Sequence, residues 1–88
     1  MLLGLPYGMP TVLRKRGFRV MIYVDDHEPP HVHAWKGSSE VVVLLAAGGG
    51  RPWIREHYSA TRRMQLAALR LVAEHNDFLL GEWRRIHG

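Results

Sequence analysis

The chain has 88 residues, with twelve lysines and arginines against eight acidic residues, six histidines, no cysteine and a formal net charge of +4. This length fits one small domain, and the lack of cysteine excludes disulfide bridges and thiolate metal sites. No apolar run approaches the roughly 20 residues that a membrane-spanning helix needs. We therefore expect a cytoplasmic protein without membrane association, whose small core a partner chain or a second copy would help to stabilise.

The first residues, MLLGLPYGMP, lack both the basic start and the long apolar run of a signal peptide. We expect residues 1–8 to form a loose leader and residues 9–88 to form a single domain. Met9 is an alternative start of the native chain.

The first part of the domain predicts a β-hairpin. Thr11–Lys15 predicts a short strand, and Arg16-Gly17 predicts a tight turn because glycine accepts a positive φ. Phe18–Val24 shows the clearest period of two, as expected for a half-buried strand. The side chains predicted to face the core are Phe18, Val20, Ile22 and Val24.

Three more strands are predicted after the polar loop Asp25–Pro30. Proline cannot donate to a sheet, so the next strand begins after Pro30 and spans His31–Lys36. Glu40–Leu45 is rich in valine and predicts a central strand that is buried on both faces. Gly48-Gly49-Gly50 predicts a turn, and Trp53–Glu56 predicts a fifth short strand.

Helical spacing replaces the period of two after Ser59, whose hydroxyl we expect to cap a helix. Asn76-Asp77 predicts a break, a second cap and a shorter final helix. The predicted apolar stripes are Met64, Ala67, Ala68, Leu71 and Val72 on the first helix, and Leu79, Trp83 and Ile86 on the second. The predicted fold class is α+β, an antiparallel meander of three to five strands followed by two C-terminal helices packed on one face.

The string Pro29-Pro30-His31-Val32-His33 carries the candidate catalytic residues, His31 and His33. Alternate residues of a strand point to one side, so these two imidazoles project together. One could act as an acid or base and the other orient it, or both could share a metal ion. Two ligands alone do not make a metal site, so we assign no metal ligand and no cofactor. Further ligands for such an ion would come from the preceding loop, at Asp25, Asp26, His27 and Glu28.

Basic residues interleaved with aromatic ones predict a surface for RNA, DNA or a partner protein. The cations would track a phosphate backbone, and an aromatic ring would stack on a base. The alternative is that the rings belong to the core and the cations are simply solvated. The predicted binding residues are Arg14, Lys15, Arg16, Arg19, Tyr23 and Trp35.

Three segments together resemble a bacterial family known as domain of unknown function 4160. They are Met9-Pro10-Thr11-Val12, the proline-proline-histidine-valine-histidine string, and the tail from Asn76 to Trp83. The resemblance covers nearly all of residues 9–88 and implies a small prokaryotic α+β domain. Similar proteins tend to carry an acidic residue after the serine cap, where this chain has Thr61-Arg62-Arg63.

The resemblance implies no catalytic assignment, and members of this family are often described as toxin–antitoxin components. Our first hypothesis is accordingly a binding module that forms one half of a toxin–antitoxin-like pair. The alternative is an RNA-acting enzyme, a ribonuclease-like toxin that uses His31 and His33. A metal-binding domain is the third hypothesis.

Overall fold

The computed structural model describes residues 10–88 and shows a five-stranded antiparallel sheet followed by two helices. The strands follow one another across the sheet in chain order, so the predicted α+β meander with two C-terminal helices is confirmed. The predicted leader, residues 1–8, and the alternative start at Met9 lie outside the described residues. The strands are β1 (Thr11–Lys15), β2 (Phe18–Met21), β3 (His31–Lys36), β4 (Ser39–Leu44) and β5 (Trp53–Tyr58), and the helices are α1 (Arg62–Glu74) and α2 (Asn76–His87).

A two-residue turn joins β1 to β2, as predicted. Lys15 pairs with Phe18, and both turn residues have positive φ, 52° at Arg16 and 83° at Gly17. This combination is the type I′ turn, whose twist matches that of the two strands. The turn therefore holds the basic tip of the hairpin in a defined place.

Strand β2 ends three residues earlier than predicted, and the predicted core position of Val24 is wrong. Ile22 is fully buried, but Val24 is 53 % exposed. The chain turns at Tyr23, whose backbone N–H donates to the Asp26 carboxylate, while the Asp26 N–H donates back to the Tyr23 carbonyl. This side-chain turn ends the alternation that the sequence pattern had extended to residue 24.

The valine run of β4 is buried on both faces of the sheet, as predicted. Val41, Val42 and Val43 are all buried. Strand β5 is two residues longer than predicted because Tyr58 still pairs with Glu40 across the sheet. A register irregularity between Val42 and Val43 accommodates this pairing.

Helix α1 begins after Thr61, so the predicted cap at Ser59 is wrong. The Thr61 side chain accepts the Met64 backbone N–H at 3.1 Å, which is the usual N-cap bond. Ser59 instead has a positive φ of 51° and turns the chain between β5 and α1. A residue in that left-handed conformation cannot also occupy the extended N-cap position.

Both helices bury their apolar stripes on one face of the sheet. Helix α1 packs against β4 and β5, and α2 packs against α1. Ala67 is the exception in the predicted stripe of α1, since it is exposed. Neither helix within residues 10–88 is long and apolar enough to cross a membrane. The core joins Val20, Val32, Ala34, Val41 and Val43 of the sheet to Ala68, Leu71, Val72, Leu79 and Trp83 of the helices.

The predicted break at Asn76-Asp77 is confirmed, since α1 ends at Glu74 and α2 begins at Asn76. The side chain of Asn76 does not cap the helix. It bridges to the loop after β4, where it accepts the Ala46 N–H and donates to the Ala46 carbonyl, both at 2.8 Å. This paired bond fastens the junction of the helices to the end of the sheet.

We expect Asn76→Ala to lower the free energy of unfolding by roughly 1–3 kcal/mol, because two hydrogen bonds to the Ala46 backbone are lost. Urea unfolding followed by circular dichroism measures the change. Asp77→Ala is the matched control, since Asp77 is exposed and makes no such bridge. Equal destabilisation by the two variants would contradict a specific bridging role for Asn76.

Candidate functional site

Four side chains meet at one end of β3 and form what we call the imidazole–carboxylate cluster: Asp26, His31, His33 and Glu40. The strand alternation places His31 and His33 on the face opposite Val32 and Ala34. Both imidazoles are largely buried, at 3 % and 8 % exposure. Their predicted juxtaposition is confirmed, with ring centroids 5.1 Å apart.

His31 is oriented by the backbone carbonyl of Pro29, two residues before it in the chain. Its Nδ1 lies 2.9 Å from the carbonyl oxygen of Pro29, which can only accept a hydrogen bond. Nδ1 therefore carries a proton, and Nε2 faces the Asp26 carboxylate at 3.3 Å. The side-chain ring of Trp83 lies against this imidazole, with a centroid separation of 5.2 Å.

His33 lies between two carboxylates. Its Nδ1 is 2.8 Å from Glu40 Oε2, and its Nε2 is 3.1 Å from Asp26 Oδ2. Glu40 is on the neighbouring strand β4, directly opposite Trp35 and hence diagonal to His33 on the same face. Strand β4 thus supplies the carboxylate at Nδ1, and the loop before β3 supplies the one at Nε2.

Asp26 is the residue that closes the cluster. The turn at Tyr23 fixes its backbone, and its two carboxylate oxygens face the Nε2 atoms of His31 and His33. One ligand atom from each of these three residues lies within 4.8 Å of the other two. The arrangement can hold either protons or one metal ion between the three side chains.

Two aromatic side chains form a wall beside His33. The Tyr23 ring stacks on the imidazole with a centroid separation of 4.0 Å, and the Trp35 indole N–H donates to the Tyr23 hydroxyl at 3.0 Å. Burial raises the pKa of the Tyr23 phenol, although the Trp35 hydrogen bond opposes the rise. Tyr23 and Trp35, predicted as base-stacking residues, here contact the cluster and each other.

The end of α2 supports the cluster from the other side. His87 stacks on Trp83 with a centroid separation of 3.8 Å. Its two ring nitrogens lie 3.1 Å from the backbone carbonyls of Trp83 and Tyr23. His87 thereby connects the C-terminal helix to the loop that carries Asp26, a role that no sequence pattern indicates.

The predicted loop ligands separate into one that joins the cluster and three that do not. Asp26 faces both histidines, whereas Asp25, His27 and Glu28 are exposed. Sequence reasoning missed Glu40 as a member of the site. Pairing the predicted third and fourth strands would have identified Glu40, because their register places it beside His33.

The predicted cations lie elsewhere. Arg14, Lys15, Arg16 and Arg19 line a depression at the tip of the β1–β2 hairpin. Arg16 forms an ion pair with Glu74 of α1 at 2.8 Å. The basic residues therefore lie apart from the buried histidine pair.

The fold and the cluster define a small α+β domain with a buried imidazole–carboxylate site. The chain belongs to the family described as "Domain of unknown function (DUF4160)", which matches residues 17–84. This match confirms the resemblance of the sequence. Comparisons with curated proteins and with solved structures found no match. The family description assigns no reaction, so function has to be argued from the site itself.

We expect Tyr23→Phe to cost about 1 kcal/mol of stability at neutral pH, because the Trp35 donor loses its acceptor. The raised pKa of Tyr23 means that its contribution is complete below the ordinary tyrosine pKa of about 10 and is lost as the pH rises further. The stability advantage of the wild type should therefore shrink above pH 10. Urea unfolding of both proteins across this range checks it, and an advantage that grows with pH would contradict it.

Proposed function

We propose that this domain is a metal-binding module that holds one divalent cation of the zinc class between Asp26, His31 and His33. The observation that supports it is that both imidazole Nε2 atoms face the Asp26 carboxylate, with one ligand atom of each residue within 4.8 Å of the other two. Zinc is bound in proteins by histidine nitrogen and carboxylate oxygen, commonly with three protein ligands in catalytic sites.

The distances within the cluster suit a common ion. Ligands at about 2.0–2.2 Å from a tetrahedral zinc stand roughly 3.3–3.5 Å from one another. The Asp26 oxygens lie 3.3 Å from His31 Nε2 and 3.1 Å from His33 Nε2.

The outer hydrogen bonds also favour a metal. Metal-binding histidines usually give their second ring nitrogen to a carbonyl or carboxylate, which fixes the ring and raises its basicity. His31 does so toward the Pro29 carbonyl, and His33 does so toward Glu40. Both rings are thereby held with Nε2 directed at Asp26.

The balance of donors and acceptors gives the ion its role. In a neutral His31 the proton sits on Nδ1, so the Nε2 lone pair meets an acceptor oxygen of Asp26. A neutral His33 that donates to Glu40 meets the same carboxylate in the same way. One divalent cation between the three side chains would bind both Nε2 lone pairs and offset the negative charge of the Asp26 carboxylate.

The cation class follows from the ligands. Imidazole suits zinc, copper, iron and nickel, whereas magnesium and calcium prefer sites made of oxygen. Three protein ligands leave a fourth tetrahedral position for water or for a substrate group. The module could thus be structural or could activate a water molecule, and the ligand set supports both.

The burial of the two histidines favours a metal over a metal-independent ribonuclease. A general acid or base must come within hydrogen-bond reach of the reacting proton. His31 and His33 are buried, and both ring nitrogens of each already face other groups. A ribonuclease in which these side chains touch RNA directly would need the loop at Asp26 to open first.

Zinc titration of untagged protein by isothermal calorimetry tests the proposal. We expect one zinc per chain and a higher melting temperature on binding. Asp26→Asn, which keeps the size of the side chain, should weaken binding at least tenfold. Glu40→Gln should weaken it by about 10- to 100-fold, because the outer partner of His33 loses its charge.

His57→Ala is the matched control, since His57 is an exposed histidine on β5 outside the cluster. It should bind zinc like the wild type. Circular dichroism confirms that each variant is folded before it is compared. Zinc binding that survives in Asp26→Asn, or that falls equally in His57→Ala, would contradict the proposal.

A second proposal is that the domain pairs with another chain, as a toxin–antitoxin-like pair or a homodimer would. It is supported by the edge strand β5, which exposes Trp53 and Tyr58 by 70 % and 52 %. Both edges carry charges, but Arg14 and Lys15 on the opposite edge, β1, have one sign and discourage strand pairing, whereas Arg55 and Glu56 on β5 form an ion pair.

Pairing of two copies through β5 predicts a dimer of the 10.1 kDa chain by light scattering, with the two strands antiparallel. Trp53→Lys should convert it to a monomer, because it places a charge on the pairing edge. Phe78→Lys is the control, since Phe78 is a half-exposed apolar residue on α2. A monomeric wild type at all concentrations would exclude the homodimer.

A further inference from the structure

A groove runs along the exposed side of α1, toward the tip of the β1–β2 hairpin. Its wall on the helix consists of residues spaced by three or four positions, which share one face of the helix. Arg16 of the hairpin forms the other side and is tied to Glu74 at one end of the groove. The lining residues on α1 are Arg62, Arg63, Leu66, Ala67, Arg70 and Glu74.

This groove continues into the depression at the hairpin tip, with which it shares Arg16. We call the two together the basic surface. Its cations are Arg14, Lys15, Arg16, Arg19, Arg62, Arg63 and Arg70.

Charge is strongly segregated between this surface and the rest of the chain. The basic surface holds seven of the twelve cationic residues and one of the eight acidic ones, Glu74, a local charge of +6. The remaining five cations and seven acids give −2, so the overall charge of +4 conceals two oppositely charged regions. A field of one sign over a groove concentrates ligands of the opposite sign.

This concentration of positive charge destabilises the fold. Arg14 and Arg19 are directly opposite each other in the β1–β2 register, and like charges in that position are destabilising. Arg62 and Arg63 occupy the first turn of α1, which contains no acidic residue, so they oppose the helix dipole. Within residues 10–88, Arg16 is the one member of the surface that pairs with a carboxylate. A bound polyanion would relieve all of these repulsions together.

We infer that the basic surface binds the phosphodiester backbone of a nucleic acid. Six of its seven cations are arginines, whose planar guanidinium donates two parallel hydrogen bonds to a phosphate. The apolar side chain of Leu66, 52 % exposed between Arg63 and Arg70, offers a contact for a sugar or a base. This site shares no residue with the imidazole–carboxylate cluster and goes beyond the metal-binding function proposed above.

A nucleic acid fits this surface better than an acidic peptide does. Seven cations from two separate elements call for a ligand with a charge at every repeat, which a phosphodiester backbone supplies. Most acidic peptide segments carry fewer charges and space them irregularly. The sequence-based prediction combined the cations of the hairpin with Tyr23 and Trp35, whereas the proposed surface combines the same cations with three arginines of α1.

Fluorescence anisotropy with labelled single-stranded RNA and single-stranded DNA of the same base sequence tests the inference. The wild type should bind, with an affinity that falls steeply as salt rises. Arg63→Gln combined with Arg70→Gln should weaken binding roughly tenfold and reduce the slope of log K against log salt by about 1.4, the loss expected for two phosphate contacts. Binding of either strand supports the inference, and tighter binding of RNA would identify a contact to the 2′-hydroxyl.

The matched control combines Arg51→Gln with Arg84→Gln. It removes the same charge from two exposed arginines that lie outside the basic surface and pair with no carboxylate among the described residues. This control should bind within twofold of the wild type. Equal loss in both double variants, absence of binding at low salt, or equally tight binding of polyglutamate would overturn the inference. Because all four arginines are exposed, circular dichroism should show every variant folded.

Discussion

The position of the Asp26 carboxylate is the constraint on which the site depends. It accepts the Tyr23 backbone N–H, which ends β2, and it faces the Nε2 atoms of two buried histidines. A partly buried carboxylate and two buried imidazoles are costly unless each polar atom has a partner. Within the described part of the chain, every buried side-chain nitrogen and oxygen has one. The loop and the start of β3 therefore hold each other in place through Asp26, and His87 joins the last turn of α2 to the same loop through the Tyr23 carbonyl.

Much of the fold could be predicted from the sequence because local patterns and tertiary packing agree. The period of two located the strands, and the Arg16-Gly17 turn fixed the first hairpin. The failures share one cause, a tertiary or turn interaction that overrides the pattern. Val24 continues the alternation but leaves the core because the Asp26 side chain turns the chain first. Ser59 is a good cap in isolation, yet the connection from β5 places Thr61 at the N-cap.

The candidate site was only partly predictable, because two of its residues depend on turn geometry and on the sheet register. Strand alternation alone joins His31 to His33, since both are on one strand. Choosing Asp26 among four polar loop residues requires the turn geometry, and finding Glu40 requires the pairing of β3 with β4. The basic surface shows the same limit, because Arg63 and Arg70 are some fifty residues from the hairpin in sequence and meet Arg16 only in the folded chain. The composition shows that the chain carries excess positive charge, but it does not show that this charge is concentrated on one surface.

X-ray absorption at the zinc edge of the untagged, zinc-loaded protein tests the proposed zinc site most directly. If Asp26, His31 and His33 bind the zinc ion, we expect a first shell with two imidazole nitrogens at about 2.0–2.1 Å. One carboxylate oxygen at about 2.0–2.2 Å and one further light atom should complete a tetrahedron. A first shell of oxygens without imidazole scattering would contradict it.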